Sequence, residues 1–389
     1  MSNSFKIRIL TTLDDVSADD WNALNSGRPF NPFTSHAFLH SLEKSGSATS
    51  ETGWLGQHLV LENEAGKPLA ALPCYLKNHS QGEYVFDHGW ADAFMRAGGE
   101  YYPKLQCSIP FTPASGPRFL VPDTPDATIR KQALAQGLKQ LCSKLEVSSA
   151  HITFMDNNDW ELAREEGYLA RTDQQFHWIN EGYEKFDDFL AALSSRKRKN
   201  IRKERETALV KNGIEIELLQ GDEITERVWD RFFSFYIDTG SRKWGTPYLT
   251  REFFAQIGQS LADRILLVMA KRDDQFIAGA INFIGDDCLY GRHWGCIEDH
   301  PCLHFEVCYY QAIEYAIKQG LQRVEAGAQG AHKLARGYVP VITRSAHWIT
   351  HPDFRNAVSD YLVHERKEVE KHNQLLGEHA PFKKGDGKS

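Results

Sequence analysis

Apolar positions switch period several times along the second half of the chain. Val307, Tyr310, Ile313 and Ile317 recur at the spacing of one helix face, and Gly320 supplies the stop, so a helix is expected over about 305–319. Arg323 to Ala326 alternates polar and apolar, as a half-buried strand does. Upstream, 264–271 and 276–284 read as strands joined by a polar turn. Gly285-Asp286-Asp287 then turns the chain into a third strand, 288–294.

The first half offers the same order. Strands are expected at 57–62, 69–77 and 84–87, a helix at 127–145 and a strand at 151–155. An echo at this distance implies a duplicated α/β domain. The copies differ in the connection from third strand to helix, which is 295–304 in the second and 88–126 in the first. That long segment holds Trp90, Phe94, Tyr101, Tyr102, Phe111 and Phe119, and four prolines stiffen it. It reads as an ordered lid or wall over a cleft, or as cover for a sheet edge. Between the halves, 191–213 reads as a basic linker helix that Ser194 or Ser195 caps and Gly213 stops. After 350 a charged helix and a frayed tail are expected.

Composition narrows the classes. The 389 residues suggest two domains, and 41% hydrophobic with 25% charged is that of a soluble globular protein. A net charge of −7 argues against nucleic acid as a whole-surface partner, though not against a local patch between Arg196 and Arg205. No apolar run is long enough to span a bilayer, and no secretory leader is apparent. Seven scattered cysteines read as reduced thiols of a cytoplasmic protein.

Candidate chemistry gathers after the strand at Arg323. Acyl transfer to an amine needs a base, donors for the tetrahedral oxyanion and an acid for the leaving group. Glu325 or His332 fits the base, Tyr338 the acid, and Lys333 and Arg336 an anion contact, with Gln329 beside them. Glu325 fits equally a plain ion pair with Arg323 or Lys333. In the strand YGRHWG, Arg292 and Trp294 share a face, and glycines let backbones approach; the same string fits a sheet corner with Trp294 in the core. His304 and Glu306 open the helix before Tyr310, where Glu306 can also serve as the helix's own favourable charge. Cys296, His300, Cys302, His304 and Cys308 do not match the spacing of a structural zinc site, so no metal is expected. Neither a phosphate-binding glycine loop nor a serine nucleophile elbow is present.

The string HFEVCYYQAIEYAIKQGLQRVEAGAQGAHKLARGY, with YGRHWG before it and SAHWI behind, resembles the FemAB-like family of predicted bacterial N-acyltransferases. LAALPCYLKNHSQGEYVFDHGWADAF, YYPKLQCSIPFTPASGPRFL and SSRKRKNIRKER extend the likeness to nearly the whole chain. The resemblance implies an α/β fold of two tandem GNAT-like (acyl-CoA N-acyltransferase) domains with mixed central sheets. These would be 1–190 with the 88–126 loop and 214–350, the linker helix between them and 351–389 following. It implies transfer of an acyl or aminoacyl group to a primary amine, of a cell-wall precursor or an amino-acid derivative, with acyl-CoA or aminoacyl-tRNA as co-substrate and no permanently bound cofactor. The segment matching the acyl-CoA pyrophosphate loop, GCIEDHPCLHFE, lacks that loop's glycine pattern. On this reading Trp90, Tyr101, Tyr102, Lys104, Arg292, Trp294, His304, Glu306, Tyr310, Gln329, Lys333 and Arg336 bind substrate or donor. The competing expectation is a binding protein that kept the scaffold without the chemistry, recognising a peptidoglycan fragment.

Overall fold

The structure, a computed structural model, describes residues 5–243, 247–327 and 330–383. Its strands in chain order are β1 (Lys6–Leu10), β2 (Leu55–Gly56), β3 (His58–Glu62), β4 (Pro68–Leu72), β5 (Tyr75–Lys77), β6 (Lys104–Cys107) and β7 (Ser149–Ile152). They continue with β8 (Leu169–Ile179), β9 (Glu215–Gln220), β10 (Ile265–Arg272), β11 (Gln275–Ile284), β12 (Cys288–Cys296), β13 (Arg323–Glu325) and β14 (Val339–Ile349). The chain divides into two compact units, 1–173 with 342–371, and 174–341 with 372–389.

In unit 1, β1, β3 and β4 form a small antiparallel sheet, and β2, β5 and β6 a second antiparallel run. β6 then pairs in parallel with β7, Leu105 opposite Ala150 and Cys107 opposite Ile152, across the helix Ala127–Lys144. A parallel pair needs such a crossover. Leu134, Leu138 and Leu141 of that helix pack on Leu59, Leu105 and Ile152.

Unit 2 repeats the plan. β9, β10, β11 and β12 are antiparallel neighbours, and β12 pairs in parallel with β13. The crossover is helical from Leu303 to Lys318, but Glu306–Tyr310 is a π turn. Ile313, Ala316 and Ile317 pack on Leu289 and Val324. The duplication read from hydrophobic period therefore stands, as does the helix after 350, observed at Pro352–Glu378.

Several expectations need correction. The expected strand 69–77 is two strands, β4 and β5, in different sheets, and the strand after them is Lys104–Cys107 and not 84–87; Glu83 and Asp87 turn inward to meet the Lys104 amine, a contact that β-propensity does not register. The 88–126 segment is no plain loop, since it contains the helix His88–Arg96 and β6. The unit boundaries fall inside β8, β14 and the helix Pro352–Glu378, where no composition shift marks them. The basic helix, Ser195–Ala208, is accordingly part of unit 2: Ile201 is in its core. Gly213 ends the segment at a left-handed φ of 61° as expected, but Ser194 makes no side-chain cap.

Candidate active site

The parallel ladder of unit 2 is short. It joins Cys288 to Arg323, Leu289 to Val324 and Tyr290 to Glu325, and extends no further. β12 runs on to Cys296 while the chain beyond Glu325 diverges. On its other side β12 stays paired with β11, with one irregularity: Asn282 faces Gly291 and Ile281 faces His293, so Arg292 is an extra residue. Such a bulge re-aims a side chain and commonly adjoins a functional site. At the divergence lies a cavity of about 80 Å³ lined by Asn282, Gly291, Arg292, Trp294, His304 and Tyr309, among others. A wider groove of about 710 Å³ elsewhere in unit 2 is bordered by Arg227, Asp230, Arg231, Lys271 and Asp274. Several of those charges already pair with neighbours, and it is the smaller opening that gathers the expected residues Arg292, Trp294 and His304.

Aromatic rings wall one side of it. His304 stands edge-on to Trp294 at 5.3 Å and to Tyr309 at 5.4 Å. The Tyr309 hydroxyl is 2.8 Å from His332 Nε2. Burial, then Arg336 and Lys333, holds the His332 imidazole below its usual pKa, so it is neutral at pH 7. Tyr338 lies against Tyr309 at 5.5 Å, wholly buried; burial keeps its hydroxyl protonated, and that hydroxyl has no hydrogen-bond partner among the described residues. Lys333 is 2% exposed and donates to the Gly327 carbonyl at 2.8 Å.

Other expected site residues are occupied structurally. Glu325 shares its strand face with Arg323, 3.3 Å away, while Val324 faces the helix; its other oxygen is 3.9 Å from His177 Nε2. Arg336 is no open anion contact: its guanidinium grips both oxygens of Glu204, donates to the His332 carbonyl and covers the Phe305 ring. Glu306, fully buried, receives Arg205 at 2.9 Å and Gln311 at 2.7 Å, which fastens the basic helix. Tyr310 is in the core and donates to Glu204. Gln329 lies outside the described residues.

Trp90, Tyr101, Tyr102 and Lys104 belong to a separate network in unit 1. The Lys104 amine, 0% exposed, meets Ser80 and Glu83 at 2.7 Å and Asp87 at 2.5 Å. Tyr101 donates to Asp87 at 2.7 Å, and Tyr102 meets Ser80 at 2.8 Å. His151 and His347 stand 2.7 Å apart, nitrogen to nitrogen, with Trp90 edge-on to His347. Burial, with Lys104 beyond it, pushes His151 down to about 3, so it stays neutral. These groups are withdrawn from water and hold one another, although one oxygen each of Glu83 and Asp87 makes no hydrogen bond among the described residues.

Sequence reasoning missed Asn282, Tyr309 and His177. Asn282 had a signal, a lone amide in an apolar strand. Tyr309 had none, because the π turn shifts the helix face by a residue after the pattern was read at α spacing.

The same order in each unit, antiparallel strands followed by one helix-bridged parallel pair, with both pairs in a large mixed sheet, defines a tandem GNAT-like fold. The chain belongs to the FemAB-like family, described as peptidoglycan biosynthesis/recognition, whose family model matches residues 12–384. Among solved structures it is similar to FemX at 10% identity and a TM-score of 0.54, covering 88% of this chain and 98% of that one. L-PGS from Bacillus licheniformis matches at 10% identity and a TM-score of 0.50, over 87% of this chain and 98% of its own. The C-terminal domain of a putative lysylphosphatidylglycerol synthetase from Agrobacterium fabrum gives 10% and 0.50, over 89% and 96%. No curated protein sequence matches the chain.

Proposed function

We propose that this protein transfers an acyl or aminoacyl group to a primary amine at the opening between β12 and β13. The observation that carries this reading is the end of the parallel ladder at Tyr290–Glu325, beside the Arg292 bulge and a cavity lined by polar groups. A donor carbonyl seated there lies along β12 beyond the end of that ladder, where strand N–H groups serve as hydrogen-bond donors for the oxyanion. The Tyr309–His332 pair offers a neutral imidazole and a protonated phenol for proton handling at the mouth.

Aminoacyl-tRNA suits this chain better than acyl-CoA as donor. The pyrophosphate-loop glycines are missing, and only one helical turn precedes the π turn. Arg196, Lys197, Arg198, Lys199 and Lys203 form no ion pair with the described residues, whereas Arg202 and Arg205 do. A face of that kind suits a polyanion, with strongly salt-dependent affinity. The acceptor is an amine of a cell-wall precursor or an amino-acid derivative. Seven free cysteines favour a reducing, cytoplasmic setting. No helix among the described residues is long and apolar enough to cross a membrane.

The test is product formation. Purified protein is incubated with charged tRNAs or acyl-CoAs and amine acceptors, including muropeptides, and new amides are read by mass spectrometry. Amide formation that Trp294→Ala reduces is expected. The binding-protein reading draws support from Glu306, Tyr310 and Arg336 all being held by neighbours. A muropeptide that raises the melting temperature, with no donor turned over, would favour it.

A further inference from the structure

Lys333 is buried, yet no carboxylate lies within ion-pair distance among the described residues, and its amine makes a single hydrogen bond there, to the Gly327 carbonyl. A buried ammonium with one acceptor for three donors is costly. The charged or titratable groups that act on it, or on which it acts, come from both sides of the opening. They are Arg292 on β12, Cys308 on the π turn, His177 on β8 and His332 on its own turn. Two of these, Arg292 and Cys308, line the cavity, and the lining includes no Asp or Glu. Glu325, the obvious carboxylate, is engaged with Arg323.

We propose that Lys333 is the base of the transfer reaction, its uncharged amine taking a proton from the attacking acceptor. This rests on the transferase reading above. Burial, with Arg292 adding to it against the opposing pull of Cys308, brings the amine down to about 8, the range suited to a base at working pH. An anion-binding role is less apt, because Arg292 already supplies a permanent cation to the lining of the cavity. In the reaction the acceptor ammonium surrenders one proton on approach. The new C–N bond forms and the donor C–O or C–S bond breaks. Lys333 takes the second amine proton and passes it to the departing alkoxide or thiolate. The balance is acyl donor plus ammonium giving amide, free alcohol or thiol, and one proton released to water.

Lys333→Arg separates the two roles, since guanidinium keeps the charge and cannot act as a base. With whichever donor turns over, kcat should fall by about 10²-fold or more while KM changes little, and Lys333→Met should lose as much. The wild-type rate should drop on the acid side of about pH 8. Independently of turnover, 15N-lysine NMR should show one side-chain amine titrating near pH 8, absent from Lys333→Met. Retained turnover in Lys333→Arg overturns the proposal and leaves the transferase reading intact. Lysine amines that all titrate in the ordinary range overturn it even when no donor turns over.

Discussion

Lys104 opens β6, in the parallel pair of unit 1, and Lys333 follows β13, in the parallel pair of unit 2. Both amines are withdrawn from water. Around Lys104 two carboxylates and a hydroxyl converge; burial alone would pull its proton off, but Glu83 and Asp87 outweigh that and hold the amine above its usual pKa. Around Lys333 the described groups are one carbonyl, the Cys308 thiol, two histidines and a second cation, with no carboxylate at ion-pair distance, and burial lowers its pKa. The strand pairs differ likewise. Beyond Cys107 and Ile152 the unit 1 pair is continued by the chain itself: Thr153 donates to the Cys107 carbonyl, and Gly116 bridges to Met155. Beyond Tyr290 and Glu325 the unit 2 pair opens onto a cavity. One copy of the scaffold has had its charge neutralised and its gap filled; the other keeps both in the form that the proposed chemistry needs. Strain of this sort is expected at functional sites, which proteins stabilise elsewhere.

The same substitution should therefore act oppositely at the two positions. Lys104→Met leaves Glu83 and Asp87 buried without their cation and should cost about 3–5 kcal/mol, read by urea denaturation. Lys333→Met removes an uncompensated charge and should stabilise by about 1–3 kcal/mol at pH 7. The sign follows from linkage. Lys333 titrates lower when folded, so between about pH 8 and the ordinary lysine range the unfolded chain binds more protons and wild-type stability rises with pH. The advantage of Lys333→Met should be full below pH 8 and shrink above it. Equal destabilisation by both substitutions would erase the contrast.

How much of this was readable beforehand depended on range. The duplicated sheet was legible because strand alternation and helix period are local, and both copies carry them at 127–145 and 305–319. The cavity was half legible: Arg292, Trp294 and His304 were picked from a strand with flanking glycines and a helix start. The roles of Glu306 and Arg336 were not, because their partners, Arg205 and Glu204, lie more than a hundred residues away on a helix that looked like a linker. The same blindness put Lys104 in a substrate site. Nothing local distinguishes a lysine that will meet two carboxylates from one that will meet none.

The two glycines of β12 sharpen the comparison between scaffold and site at the smallest scale. A Cβ on Gly295 would lie 2.1 Å from the Phe235 carbonyl oxygen, so the helix Glu226–Lys243 can approach β12 only because no side chain is there. Gly295→Ala should cost about 1–3 kcal/mol through forced displacement of that helix backbone. The atoms nearest a Cβ on Gly291 are Asn282 Oδ1 at 3.3 Å, Glu325 O at 3.6 Å and Ala326 Cα at 3.7 Å. Its neighbours can yield by a few tenths of an ångström, so Gly291→Ala should change stability by less than about 1 kcal/mol. The added methyl would nevertheless stand at the point where β12 and β13 part, inside the space assigned to the donor carbonyl. Its effect should appear in kcat/KM and not in the denaturation midpoint. A Gly291→Ala protein that transfers normally would mean that the reacting carbonyl sits elsewhere, even if both stability measurements came out as argued.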